Sequence, residues 1–130
     1  HQAFTRVEEA VEYVKQTGVD ALAVAIGTAH GVYKGTPNIH FDLLHELKEA
    51  LDIPLVLHGG SGTGDENLAR CAREGINKVN LSNDLKRSAI ENLIKEDLSG
   101  NAVYQLYPLL AEGFKNKIKH YIRLLGCEGK

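Results

Sequence analysis

Helical and strand-like hydrophobic patterns alternate along the chain, and this alternation restricts the possible folds more than any other feature. Three short apolar runs fit buried strands, namely Val19–Ile26, Pro54–Leu57 and Ile76–Leu81. Stretches with apolar residues three and four positions apart separate them, as in amphipathic helices. Strands joined by helical crossovers of about 20 residues lie parallel, with right-handed connections. We therefore predict an α/β fold whose parallel strands are covered on both faces.

Capping signals suggest where the predicted helices begin. Thr5 and Glu8 have capping-box spacing, and so do Thr63 and Glu66. We therefore expect one helix to begin at Thr5 and another at Thr63. The remaining helices are predicted over Phe41–Leu51, from Ser82–Asp84 to Leu93, and over Val103–Leu125.

The chain is too short to close the kind of sheet that it encodes. Three parallel strands leave two exposed edges, and a complete (β/α)8 barrel takes about 250 residues, whereas this chain has 130. We therefore expect residues 1–130 to form the C-terminal half of a single TIM-barrel domain. The partner that completes the sheet is then the N-terminal half of the same barrel. A small open three-layer sheet is the alternative.

Two histidines stand at the ends of successive predicted strands, where parallel α/β sheets carry their functional residues. His30 lies just beyond the first strand and His58 ends the second, each followed by glycine. Neighbouring strands are about 4.8 Å apart, so both imidazoles can reach one Zn²⁺ ion. We predict His30 and His58 as metal ligands, with a further ligand outside this chain because catalytic zinc takes three. A hydrogen-bonded core or loop histidine is the alternative for each.

Glycine is concentrated directly after His58. Four of the six residues at positions 59–64 are glycine, which allows successive backbone N–H groups to face one point beside the helix predicted to begin at Thr63. Such an arrangement binds anions, phosphate above all, and Ser61 adds a hydroxyl. A flexible turn without a ligand is the alternative.

The end of the third predicted strand carries short polar side chains. Asn80, Ser82 and Asn83 follow one another there with Leu81 between them. They can bind a ligand at the same edge of the sheet as the histidines, or they can simply cap the following helix. The sequence alone leaves both interpretations open.

Charge and composition exclude several classes of partner. The chain has 15 Lys+Arg against 17 Asp+Glu, a net charge of −2, so we expect no nucleic-acid partner. No apolar run approaches the roughly 18 residues of a membrane span, and we expect no membrane partner. Cys71 and Cys127 lack the spacing of a disulfide framework or a zinc finger. They indicate reduced thiols and a cytoplasmic protein.

Three stretches closely resemble the class II, metal-dependent ketose-bisphosphate aldolases, which include the fructose- and tagatose-bisphosphate enzymes. They are Ala23–Lys34 (AVAIGTAHGVYK), Pro54–Gly62 (PLVLHGGSG) and Lys78–Asn83 (KVNLSN). Their order and spacing cover essentially the whole chain. The resemblance implies about strands six to eight of the TIM barrel, with their helices. It also implies cleavage of a ketose 1,6-bisphosphate to dihydroxyacetone phosphate and an aldehyde, which we expect to be glyceraldehyde 3-phosphate.

The resemblance assigns roles residue by residue. His30 and His58 are implied to be two of three zinc-ligand histidines. The positions implied to hold dihydroxyacetone phosphate are Gly31, Gly59, Gly60, Ser61, Asn80, Leu81, Ser82 and Asn83. Backbone around Gly31 and Gly59 is implied to hold a monovalent cation in addition. The resemblance implies that the catalytic acid and base belong to the N-terminal half, so we expect no catalytic residue in this chain. It also implies that the enzyme is a homo-oligomer, either a dimer or a tetramer.

One departure from the family pattern concerns the second phosphate. Members of the family commonly bind this phosphate with an arginine at the beginning of the last long helix, but Asn101–Leu106 contains no arginine. An aldolase acting on a substrate other than a bisphosphate is therefore one alternative function. A phosphate-binding barrel protein without aldolase chemistry is another. In either case we expect the 130 residues alone to be inactive.

Overall fold

The computed structural model describes residues 4–29, 31 and 34–130. Its elements in chain order are α1 (Val7–Thr17), β1 (Leu22–Ala23), α2 (Phe41–Ala50), β2 (Leu55–Leu57), α3 (Asp65–Glu74), β3 (Ile76–Val79), α4 (Asn83–Leu93), a 3-10 helix (Gly100–Gln105) and α5 (Leu106–Leu124). The chain divides into two compact units, His1–Asn80 and Leu81–Lys130. The alternation of helices and strands predicted from the sequence is confirmed.

The first unit contains a parallel three-stranded sheet in the order β1-β2-β3. Helices cover one of its faces, where Leu55 and Leu57 of β2 are completely buried. The fully buried side chains that join them from the rest of the first unit are Ile26, Leu44, Leu47, Leu68 and Cys71. On the other face Ala23 and Lys78 are exposed. Cover by helices is thus confirmed on one face, while the expected cover of the second face stays a prediction, because the described residues leave it open.

A β-bulge in β3 decides which of its side chains reach the uncovered face. Leu55 is opposite Ile76, but Val56 is opposite Lys78, so Asn77 is an extra residue in β3. The Asn77 side-chain oxygen accepts a hydrogen bond of 3.1 Å from the Leu55 N–H. Side chains alternate along a strand, so if Asn77 were a regularly paired residue, Lys78 would point to the same face as buried Ile76. The bulge therefore places Lys78 on the uncovered face, with Val56, and Val79 on the covered face, with Leu57.

The first helix does not begin as the sequence suggested. The residue before α1 is Arg6, which makes no side-chain capping bond. Thr5 instead pairs with the chain beyond β1: its N–H donates to the Ala25 carbonyl at 3.0 Å, and its hydroxyl oxygen accepts from the Ala25 N–H at 2.8 Å. The predicted capping box at Thr5 is wrong because these two long-range bonds use the groups that a cap would need.

A histidine caps α2. The N–H of Leu43 donates to His40 Nδ1 at 3.2 Å, and the His40 ring lies edge-on to Phe4, with 5.6 Å between ring centres. This bond satisfies one of the N–H groups that the first turn of a helix leaves without a partner. α2 therefore begins at a side chain that the sequence pattern did not indicate as a cap.

The second unit is built from α4, the 3-10 helix and α5. Side chains of α4 bond α5 in antiparallel order: Ser88 donates to the Gly113 carbonyl at 3.0 Å, and Asn92 to the Leu109 carbonyl at 2.7 Å. A Cβ atom at Gly113 would lie 2.6 Å from the Ala89 Cα, so glycine permits this approach. Among the described residues, no helix combines the length and the apolar character that a membrane crossing requires.

Candidate active site

The uncovered face of the sheet carries a row of polar side chains. Lys78 lies opposite Val56 in the register of β2 and β3. His58 and Asn80 each stand two residues further on, and alternate residues of a strand share a face. All three polar side chains are exposed. The sheet thus presents an imidazole, an ammonium group and a carboxamide at the carboxyl ends of neighbouring strands.

Backbone hydrogen bonds hold Asn80 beside His58. The Asn80 N–H donates to the Leu57 carbonyl at 2.9 Å, and the Asn80 carbonyl accepts from the Gly60 N–H at 3.1 Å. The two bonds join Asn80 to Leu57 and Gly60, which lie on either side of His58 in the sequence. The Thr28 hydroxyl donates to the His58 carbonyl at 2.7 Å. His58 therefore has a backbone tied to both neighbouring segments and a side chain open to solvent.

The loops after β1 and β2 touch at a glycine. Gly59 has a φ of +67°, and a Cβ atom there would lie 2.7 Å from the Ala29 carbonyl carbon. Only glycine allows the backbone after His58 to approach Ala29 so closely. His30, the next residue, lies outside the described residues, so its assignment as a metal ligand stays a prediction. The segments that carry the two histidines are nevertheless in contact up to that point.

A small cavity opens beside His58. Its volume is about 250 Å³, and it is lined by Ala23, Val24, Ala25, Thr28, Ala29 and His58. An imidazole nitrogen is a good zinc ligand, and this one is exposed on the cavity wall. Within the described part of the chain, no three His, Cys, Asp or Glu side chains lie close enough to hold a metal ion. His58 can therefore supply one donor to a zinc ion.

The glycine-rich loop differs in detail from the predicted anion cradle. The Gly60 N–H is bonded to the Asn80 carbonyl, so this amide holds the fold together and is not directed at a ligand. Thr63 is completely buried, and its hydroxyl donates to the Gly59 carbonyl at 3.2 Å. The helix begins at Asp65 with Gly64 as its cap. The predicted capping box at Thr63 is wrong, because its hydroxyl fixes the loop instead.

The other predicted ligand-binding residues belong to the loop after β1, to the glycine-rich loop and to the second unit. Gly31 is exposed, with a φ of +114° and open space where a Cβ would stand. Ser61 is buried within the glycine loop. Leu81, Ser82 and Asn83 belong to the second unit, where α4 begins at Asn83 and the Ser82 side chain makes no capping bond.

Lys78 was not among the residues predicted for the site. Its ammonium group donates a hydrogen bond to the Asn80 side-chain oxygen. The i, i+2 spacing of Lys78 and Asn80 was a usable signal, because strand residues at that spacing share a face. The sequence did not indicate which face, since the bulge at Asn77 reverses the alternation set by Ile76.

Comparison with known proteins assigns this chain to a family. The family described as "Fructose-bisphosphate aldolase class-II" matches the chain over residues 1–130. The chain belongs to the class II fructose-bisphosphate aldolase family. The resemblance of the three motifs is thereby confirmed, and the enzymes of this family are aldolases.

Two solved aldolases share the fold. The YdjI aldolase from Escherichia coli K12 has 32% sequence identity and a TM-score of 0.88, and the match covers 97% of this chain and 47% of that one. The fructose-bisphosphate aldolase from Campylobacter jejuni has 19% identity and a TM-score of 0.75, covering 95% of this chain and 45% of that one. The chain therefore spans about half the length of these aldolases.

Proposed function

We propose that this chain supplies the C-terminal half of a class II aldolase active site. In this proposal its three strands are about strands six to eight of a TIM barrel, and an N-terminal half completes the sheet. The reaction is reversible cleavage of a ketose 1,6-bisphosphate to dihydroxyacetone phosphate and glyceraldehyde 3-phosphate. Membership of the aldolase family supports the reaction class, and the length of the related enzymes supports a missing half.

One observation carries the proposal: His58 is exposed at the end of a parallel strand, beside Asn80 and in contact with the segment that precedes His30. A histidine kept only for packing would be buried on the helix-covered face. Here the backbone is fixed by Thr28 while the imidazole remains accessible. A fixed backbone and a solvent-exposed imidazole together suit a metal ligand.

In the proposed mechanism His30 and His58 hold Zn²⁺ together with a third ligand from the N-terminal half. When bound, zinc would polarise the C2 ketone of the substrate and stabilise the negative charge that develops as the C3–C4 bond breaks or, in the reverse direction, as C3 loses a proton. The chain's own contribution is geometric. The Thr28 hydroxyl fixes the His58 backbone, and contact between Gly59 and Ala29 sets the distance between the two histidine loops.

The phosphate of the dihydroxyacetone moiety is proposed to bind at the loops that follow the three strands. The residues proposed for this role are Gly31, Gly59, Ser61, Asn80, Leu81, Ser82 and Asn83. Gly60 keeps an indirect role, since its N–H holds Asn80 in place. Binding the phosphate away from the reacting carbons converts binding energy into positioning. A monovalent cation near Gly31 and Gly59 is part of the same proposal.

The decisive experiment replaces His58 in the complete enzyme. His58→Ala should remove bound zinc and lower the rate of bisphosphate cleavage at least a thousandfold, because one of the three proposed zinc ligands is lost. A coupled assay measures the rate, and elemental analysis measures the bound zinc. His45→Ala is the matched control, since His45 lies on α2 and pairs with Glu74 at 2.8 Å. Full activity and metal content in the His58 variant would end the proposal.

The second candidate function is an aldolase whose aldehyde lacks a phosphate. The absence of arginine from residues 101–106 favours it, because an anionic group on that half of the substrate would then have no cation from this segment. Assays of the zinc-loaded enzyme with fructose and tagatose 1,6-bisphosphates, against the corresponding 1-phosphates, separate the two. Higher kcat/KM with the 1-phosphates would establish the second candidate.

The proposal extends to assembly and location. We propose a homo-oligomer, a dimer or a tetramer, and light scattering of the purified enzyme distinguishes these from a monomer. The free thiols of Cys71 and Cys127 support a reducing compartment, the cytoplasm.

A further inference from the structure

Lys78 is the one lysine on the polar row of the uncovered face among the described residues of β1, β2 and β3. It lies two residues before Asn80 and donates to the Asn80 side-chain oxygen. The β-bulge places it there, since Asn77 turns β3 over so that Lys78 stands opposite Val56. The Leu55 N–H donates a hydrogen bond to the Asn77 side-chain oxygen and so holds that bulge. The position of Lys78 is thus built into the sheet.

The bond determines which end of the Asn80 carboxamide is available to a ligand. Asparagine presents an acceptor oxygen and a donor nitrogen. The ammonium group of Lys78 takes up one of the two lone pairs of the Asn80 oxygen, so the two N–H donors are the groups that Asn80 offers most readily to a bound molecule. A cation on the oxygen also polarises the amide and makes the nitrogen a better donor. The Asn80 side chain is therefore oriented to donate to an anionic oxygen of a ligand and not to accept a hydrogen bond from it.

We propose that Lys78 is a positioning residue for Asn80, fixing its amide so that the nitrogen donates to an anionic oxygen of the bound sugar phosphate beside His58. This inference rests on the proposed function and adds a residue to it. Lys78 acts through Asn80, and the backbone bonds from Asn80 to Leu57 and Gly60 keep that amide at the strand end while the ammonium sets its orientation.

A double-mutant cycle in the complete enzyme tests this. Lys78→Met should raise KM for the bisphosphate and Kd for dihydroxyacetone phosphate about tenfold, the usual scale of one charge-assisted hydrogen bond. In an Asn80→Ala background the same change should alter either constant less than twofold. Lys78→Arg, which keeps a charged donor, should recover most of the loss. Lys15→Met, on exposed α1, is the control and should bind normally.

Additive effects in the cycle would overturn the proposal, because they would mean that Lys78 contacts the ligand directly. Unchanged constants in Lys78→Met would also overturn it. Failure of the proposed function is distinguishable: the unmodified enzyme would then cleave no ketose phosphate, whatever stands at position 78.

An independent readout needs no turnover. In the unliganded enzyme, the Asn80 side-chain amide resonances should shift in Lys78→Met and return in Lys78→Arg, as followed by ¹⁵N-correlated NMR. If Lys78→Met does not fold, Lys78→Gln takes its place, since glutamine keeps a neutral donor and should give an intermediate Kd. Identical Asn80 resonances in the folded variant and the unmodified enzyme would contradict the hydrogen bond and with it the proposal.

Discussion

At the scale of single residues, one close backbone contact and two threonine hydroxyl bonds fix the loop that follows β2. Gly59 lets the His58 loop pass against Ala29, and Thr28 and Thr63 each donate a hydroxyl hydrogen to a carbonyl of that loop. The clustering of glycine identified the loop from the sequence. The particular contact could not be predicted, because Ala29 comes close only once β1 and β2 are paired.

Replacing Gly59 should be far more harmful than replacing another glycine of the same backbone conformation. Gly18 has a φ of +63° and nothing within 4 Å of a Cβ position, whereas Gly59 has a φ of +67° and backbone atoms of Ala29 in that space. Gly18→Ala should cost about 1 kcal/mol of unfolding free energy. Gly59→Ala should cost about 3 kcal/mol, because steric overlap adds to the strain. Urea unfolding measures both, and equal losses would contradict the close approach.

The buried thiol of Cys71 gives a second prediction, in alkaline solution. Burial raises the pKa of Cys71 to about 11 from the usual 9.0. The unfolded thiol therefore ionises first, and the free energy of unfolding should fall as the pH rises from about 9 to about 11. Cys71→Ala should weaken that slope. Cys127→Ala is the control because Cys127 is exposed, and it should keep the slope of the unmodified protein; a slope that is the same in all three proteins would contradict the prediction.

At the scale of elements, periodicity predicted which segments are helices, but hydrogen bonds between segments decided where they begin. Thr5 and Thr63 had the spacing of caps, yet each bonds a distant or loop carbonyl in place of its own helix. His40 caps α2 although histidine is an uncommon cap. Local spacing cannot show these outcomes, because each competing partner belongs to another part of the fold.

The cap of α2 can be tested by two substitutions at one position. His40→Ala removes the acceptor for the Leu43 N–H and should lower the unfolding free energy by about 1 kcal/mol. His40→Asn restores an acceptor of the usual kind and should bring the stability back to within a few tenths of that of the unmodified protein. Thermal unfolding of the two variants checks the difference, and equal stability would show that the ring contact with Phe4, not the cap, is what His40 contributes.

At the scale of the whole molecule, family membership and chain length carry the interpretation. The three motifs predicted the family, and the alternation of helical and strand-like patterns predicted the parallel sheet with His58 at the end of its second strand. The sequence alone nevertheless failed at two residues. It missed Lys78, because the bulge changes which side chains of β3 face outward. It also assigned a ligand role to the Gly60 amide, which the structure uses to hold Asn80. In both cases the pairing of β2 with β3 decided the outcome.

The 130-residue chain by itself should not catalyse aldol cleavage. Within its described residues there is no cluster of three metal-binding side chains, and the acid and base are expected from the N-terminal half. Adding that half, for example from the YdjI aldolase as a fusion, should restore zinc binding and turnover. Coupled assays with each bisphosphate epimer provide the measurement, and turnover by the purified chain alone would contradict the division of roles.

The extra residue in β3 makes one change of length acceptable and others harmful. Ile76, Lys78 and Val79 pair in turn with Leu55, Val56 and Leu57, and Asn77 has no partner in this register. Deleting Asn77 should therefore leave Lys78 and Asn80 on the uncovered face and Val79 on the covered one. A further change of length between Ile76 and Asn80 would shift the alternation by one residue and exchange the polar and apolar sides of the strand. Related genes should therefore carry either this bulge or a strand that is one residue shorter.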